Sequence, residues 1–177
     1  MKKTKFISLS LSAFILICAL SACGAKSMDP VSMTDGKNII SLESTQDQVE
    51  AIFGQGSEDR GRMKYIYEGT DFEITYDNDG KIKFMYVQLA EGSETSLWKD
   101  SMGIGVGSAE DELVAAYDLT GAEKKGFIYN VFFVKKGGRI VRSDNVSEPW
   151  EYDLAYAMDQ ETNSVIDHIV MLSSRTL

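Results

Sequence analysis

The sequence predicts an α+β protein made of two tandem repeats, each a short helix followed by an antiparallel β-meander. Three observations predict it. A fifteen-residue stretch recurs at an offset of 64 residues: ISLESTQDQVEAIFG (Ile40 to Gly54) against IGVGSAEDELVAAYD (Ile104 to Asp118). Alternating apolar runs separated by turn residues follow each copy, which is the pattern of paired half-buried strands. The chain has 177 residues, 44% hydrophobic and 25% charged, a balance that suits a packed core and not a disordered polymer.

The chain opens with Lys2, Lys3 and Lys5, then runs uncharged from Phe6 to Leu20. That run is short for a bilayer span, which needs about 20 residues, and has the layout of a secretory signal. It ends in Leu20-Ser21-Ala22-Cys23, which resembles the lipobox of bacterial lipoproteins. The resemblance implies diacylglycerol on the Cys23 sulfur and cleavage just before that residue. A thiol is needed for the thioether, and the small side chains of Ser21 and Ala22 leave the backbone open to a peptidase. Cys18 would be lost with the signal, so the mature chain would carry no disulfide. The same removal takes 18 basic residues to 15 against 27 acidic, a formal charge of −12. Such a body is a poor partner for nucleic acid or anionic headgroups, so membrane attachment would rest on the acyl chains, each buried CH₂ contributing about 0.8 kcal/mol.

Residues 24–38 (GAKSMDPVSMTDGKN) are polar and read as a tether, about 20 Å root-mean-square if flexible. The expected organisation is therefore a signal over 1–22, the lipidated Cys23 and tether over 23–38, repeat one over 39–98 and repeat two over 99–177.

Within the repeats, Ile40 matches Ile104, Ser44 matches Ser108, Asp47 matches Asp111 and Ala51 matches Ala115; the same offset puts Tyr65 on Tyr129. Ser44 and Ser108 are expected N-caps, with Asp47 and Asp111 completing a capping-box-like signature. Val49, Ile52 and Phe53 then form one apolar helix stripe, and Leu113, Ala116 and Tyr117 the other. Gly54 should stop the first helix. In copy one, 63–69, 72–76 and 82–89 read as strands, with DNDG (77–80) turning the chain. In copy two, 127–134, 139–142, 151–158 and 164–172 are strands, with KKGG (135–138) and DQETN (159–163) as turns.

Two tandem copies of helix plus antiparallel sheet resemble the β-lactamase-inhibitor-protein (BLIP)-like fold, over residues 39–173. The most specific pieces are the Ile-x-x-x-Ser-x-x-Asp helix starts. The resemblance implies a protein-binding sheet face and no particular inhibitory residue, since BLIP itself carries disulfides.

Candidate chemistry is sparse. Gly103, Gly105 and Gly107 suggest a phosphate loop, but position 108 is Ser where a dinucleotide fingerprint needs Gly, and no Lys follows as a Walker loop requires. Glu43 stands where copy one would need a nest of N–H groups. DNDG fails as a calcium loop, because Thr75 and Tyr86 fall at its first and twelfth positions. His168, the only histidine, is a poor start for a zinc site and reads as a surface or edge-strand residue. No motif implies a cofactor or a metal. The aromatics are more informative. IKFMYVQL is apolar on both faces, while one helical layer covers only one face of a sheet. Tyr65, Tyr67, Trp150 and Tyr152 are the expected anchors of an exposed recognition face. The sequence thus reads as a lipid-anchored extracytoplasmic binding module, not an enzyme, with a protein or peptide partner. The alternatives are an envelope hydrolase using carboxylates and a structural subunit of an envelope assembly.

Overall fold

The computed structural model describes residues 28–59, 64–68, 70, 72–89, 93, 95–145, 147, 149–162 and 164–174. The first half holds β1 (Ser32–Thr34), β2 (Ile39–Ser41), α1 (Gln46–Phe53), β3 (Ser57–Asp59), β4 (Lys64–Ile66), β5 (Phe72–Tyr76) and β6 (Ile82–Gln88). The second holds β7 (Lys99–Asp100), α2 (Glu110–Tyr117), β8 (Lys124–Lys125), β9 (Ile128–Lys136), β10 (Arg139–Arg142), β11 (Tyr152–Met158) and β12 (Ile166–Ser173). The architecture is α+β: mostly antiparallel sheet with two short helices. A large sheet runs β10-β9-β11-β12-β6-β5-β4-β3, with β8 also paired to β9, and a small sheet runs β2-β1-β7.

The helices begin alike. Thr45 and Ala109 are extended N-caps, and α1 and α2 each have eight residues. Ser44 and Ser108 lie one residue earlier than expected for caps. Their hydroxyls are taken up by the preceding turn, accepting from the Ser41 and Gly105 N–H groups, each at 3.1 Å. The N3 residues are Gln48 and Glu112, not the aspartates, and their side chains accept from the Thr45 N–H at 2.9 Å and the Ala109 N–H at 3.1 Å. Only Thr45 has a hydroxyl to complete a capping box, accepting from the Gln48 N–H at 3.3 Å. Gly54 ends α1 at positive φ as expected, and Asp118 ends α2 in the left-handed region.

The last strand of each half, β6 or β12, is tied to the start of that half's helix in the same way. The Gln46 N–H donates to Gly80 and the Glu110 N–H to Ser164, both at 2.8 Å. The Ile82 N–H donates to Ser44 at 3.0 Å and the Ile166 N–H to Ser108 at 2.9 Å. β6 and β12 then meet antiparallel at the sheet centre, with Tyr86 opposite Val170. Irregularities fall between Thr75 and Tyr76 on β5 and between Ala157 and Met158 on β11.

Strand alternation assigns the core. One row across the sheet reads Phe72, Val87, Ile169, Tyr156, Tyr129, and the next Ile74, Met85, Met171, Leu154, Val131. All ten are buried. Both helices lie on this face: the Phe53 ring is 5.3 Å from that of Phe72, and the Tyr117 ring is 5.8 Å from that of Tyr156.

The expected tether needs correction. Val31 and Met33 are buried, and β1 pairs with both β2 and β7, so part of 24–38 belongs to the folded body. The turn that makes this pairing possible is local: Asp35 Oδ1 accepts from the N–H groups of Lys37 and Asn38, with Gly36 at positive φ. Residues 24–27, Cys23 and the signal lie outside the described residues.

Candidate functional site

The opposite face of the large sheet carries the site. Its side chains also run in rows. One reads Thr75, Phe84, Leu172, Asp153, Phe132. The next reads Ile66, Glu73, Tyr86, Val170, Ala155, Asn130, and a third Gln88, His168, Ala157, Ile128. Phe84, Leu172, Phe132, Tyr86 and Val170 are half-buried. The ring contacts and ion pairs of this face, among the described residues, join members of the face to one another or to the segment before β11. The Phe132 ring is 5.8 Å from that of Trp150, and Tyr86 is 5.1 Å from His168. Lys64 pairs with Glu73 at 2.5 Å. His168 sits on a central strand, not an edge, and its Nδ1 is 2.8 Å from the neighbouring Asp167 carboxylate.

Asp153 stands in the middle of this apolar surface. It is 7% exposed, and its Oδ1 has no hydrogen-bond partner. Phe132 and Leu172 face it from the two neighbouring strands. Burial is the sole cause pushing its carboxyl from the ordinary 3.8 up to about 7. Sequence reasoning passed over this residue, because an Asp within EYDLAYAM reads as the polar member of an alternating strand. Its burial depends on Phe132 and Leu172, which come from other strands.

The four expected anchors divide. Tyr67 and Tyr152 are each 1% exposed and belong to the core, which corrects the expectation that they stand on an open face. Parity explains it. Tyr152 shares the helix-side register with Phe133, and its hydroxyl donates to the Glu43 carboxylate. Tyr67 lies against Phe53, and its hydroxyl is 2.6 Å from that of Tyr76. Tyr65 is half-buried, with its ring 5.3 Å from that of Tyr76 on the same side. Trp150 is half-buried and lies beside the outward row, against Phe132.

Two other polar clusters lie on the helix side. Asp100 is 2% exposed and fully engaged. Its Oδ1 accepts from the Met102 N–H at 2.8 Å and the Ile104 N–H at 2.9 Å, its Oδ2 from the Tyr117 hydroxyl at 2.8 Å and the Tyr156 hydroxyl at 2.5 Å. Burial still raises its carboxyl, with these donors opposing. A cleft of about 590 Å³ opens above Tyr117, lined by Met28, Pro30, Met102, Phe133 and Arg142 among others. Arg142 is already committed there, to the Tyr117 carbonyl and to the Glu123 carboxylate at 3.2 Å. Glu43 forms the second cluster, pairing with Lys81 at 3.3 Å and Lys135 at 3.1 Å beside the Tyr152 hydroxyl.

The glycine loop has a packing role. A Cβ on Gly105 would lie 2.5 Å from the Trp98 carbonyl oxygen, so the chain can pass there only without one. The DNDG segment forms the hairpin turn, with the Gly80 N–H donating to the Asp77 carbonyl at 3.0 Å. Among the described residues, no group of three or more His, Cys, Asp or Glu is placed to hold a metal ion.

No protein-family description matches the chain, and no curated protein matches it. Among solved structures it is similar to the crystal structure of a DUF4309 family protein, YjgB, from Bacillus subtilis subsp. subtilis str. 168. The two are 17% identical over 80% of this chain and 86% of that one, with a TM-score of 0.40.

Proposed function

We propose that the chain is a lipid-anchored extracytoplasmic binding module, built from two tandem BLIP-like repeats, that recognises a protein or peptide through the outward face of its large sheet. The duplication is supported by the matched helix starts, the matched ties from Gln46 to Gly80 and Glu110 to Ser164, and the adjacent β6 and β12. The anchor is supported by the lipobox-like Leu20-Ser21-Ala22-Cys23.

The observation that carries the binding reading is the outward apolar face itself. Phe84, Tyr86, Phe132, Val170 and Leu172 stand on the two central strands β6 and β12 and on β9, beyond the single layer of helices. With Trp150 they form a surface of large, stiff side chains, the type that dominates protein recognition.

The test is site-directed photo-crosslinking on cells expressing the full chain. A crosslinker replacing Val170 should give a discrete protein adduct that Phe132→Ala with Trp150→Ala suppresses. A crosslinker replacing Leu97, which is 78% exposed and adjoins Trp98, a ring packed on Phe72 of the helix side, should not give that adduct. Identical adducts from both positions, or none from Val170, would overturn the reading.

A further inference from the structure

Asp153 is a carboxylate that the fold does not satisfy. The same chain shows what satisfaction looks like: Asp100, also buried, receives two backbone N–H groups and two tyrosine hydroxyls. Asp153 Oδ1 receives none. Burying an unpartnered polar group costs free energy, and native structures do so rarely. The side chains opposite it on the flanking strands, Phe132 and Leu172, are apolar, as are Ala155, Val170 and Phe84 farther along the face. Glu151, two residues away, is turned to the Lys135 N–H at 2.9 Å. Among the described residues, no charged side chain adds to burial in shifting the Asp153 carboxyl.

We propose that Asp153 anchors a site for the ammonium or guanidinium group of a lysine or arginine on a partner protein, with that side chain's apolar stem lying against Phe132, Trp150 and Leu172. The inference rests on the reading of the outward face as a recognition surface and specifies its ligand chemistry. A cation is favoured over a neutral donor because it recovers both the missing hydrogen bond and the charge burial. The Trp150 and Phe132 rings suit the arrangement, since aromatic faces attract cations and accept methylene stems. Rotation about Cβ–Cγ exchanges the two oxygens, so a donor arriving from the solvent side meets a free acceptor. A divalent metal would find one carboxylate and apolar walls, too few ligands to replace its water shell. The chain's excess of 27 acidic over 18 basic residues favours approach by a basic partner.

The probes are two tripeptides, acetyl-Phe-Lys-Leu-amide and its norleucine counterpart, titrated into the full-length chain. Trp150 fluorescence and the Asp153 ¹³Cγ resonance are the readouts. The lysine probe should bind about tenfold tighter than the norleucine probe. Asp153→Asn should bring the two within about twofold of each other while leaving norleucine binding unchanged. In the wild-type chain, saturating lysine probe should lower the Asp153 pKa, which keeps the test decisive even if the Asn variant does not fold. Equal binding of both probes to the wild type, a lysine preference that survives Asp153→Asn, or no saturable lysine binding by about 10 mM overturns the site. Phe132→Ala and Trp150→Ala separate this from the broader reading. If they weaken both probes equally and no lysine preference exists, the surface stands and the cation site falls. If they change neither probe's binding, the surface falls as well.

Discussion

Asp100 and Tyr156 lie 56 residues apart and are joined by a buried hydrogen bond of 2.5 Å. It ties the small sheet, through β7, to β11 of the large one. Tyr156→Phe removes that donor and leaves a buried carboxylate with one fewer partner. The expected loss is about 1–3 kcal/mol of unfolding free energy in urea melts. A loss below about 0.3 kcal/mol would mean that the Tyr117 hydroxyl and the two backbone donors already saturate Asp100.

Asp153 should make stability depend on pH with a definite sign. Its folded-state carboxyl titrates at about 7, against an ordinary 3.8. Below the lower value both states are protonated and nothing is lost. Between the two the unfolded chain releases its proton while the folded one keeps it, so stability falls as pH rises and levels off above about 7. The ceiling of the effect is about 4 kcal/mol. Asp153→Asn should therefore stabilise the protein at pH 8 and be close to neutral at pH 3. Melts with the same Asn-minus-Asp difference at both pH values would refute the assignment.

Gly105→Ala should destabilise the fold by about 1–3 kcal/mol, because its Cβ meets a backbone carbonyl that no rotamer change can move aside. Gly80→Ala is the control: its Cβ meets nothing within 4 Å, and its cost is the strain of φ +72° alone. Nucleotide binding lost on Gly105→Ala, with stability unchanged, would restore the phosphate-loop reading.

Core and surface aromatics should part company. Tyr67→Ala and Tyr152→Ala remove side chains 1% exposed, at a cost of about 3–5 kcal/mol in thermal or urea unfolding. Trp150→Ala, half-buried at the edge of the outward face, should cost less stability and more partner capture. Equal destabilisation by all three would move Trp150 into the core set.

Cys23→Ser should release the protein from membranes and abolish lipid labelling, checked by fractionation and incorporation of a clickable fatty acid. Retention of label in the variant would rule out Cys23 as the modified residue.

The sequence by itself determined what is local and periodic. The helix positions followed from the stripes at Val49 and Phe53 and at Leu113 and Tyr117, and the long strands from alternation in FEITY and IKFMYVQL. The DNDG and KKGG turns followed from residues that tolerate positive φ; Gly137 and Gly138 both adopt it. The matched Ser44 and Ser108 were legible as partners, although the caps fall one residue later because those hydroxyls serve the turn.

Tertiary structure decided everything that needs a second strand to define it. β1, β2, β3, β7 and β8 are two or three residues long, too short for periodicity to register. Met33 is a core residue only because β1 pairs on both sides. Strand parity alone left open which face of the sheet the helices would cover, so Tyr67 and Tyr152 were indistinguishable from surface aromatics until Phe53 and Glu43 met them. Asp153 is the sharpest case. An acidic residue in an alternating strand is ordinarily solvated, and only Phe132 and Leu172, brought beside it from strands on either flank, exclude the water that would have satisfied it.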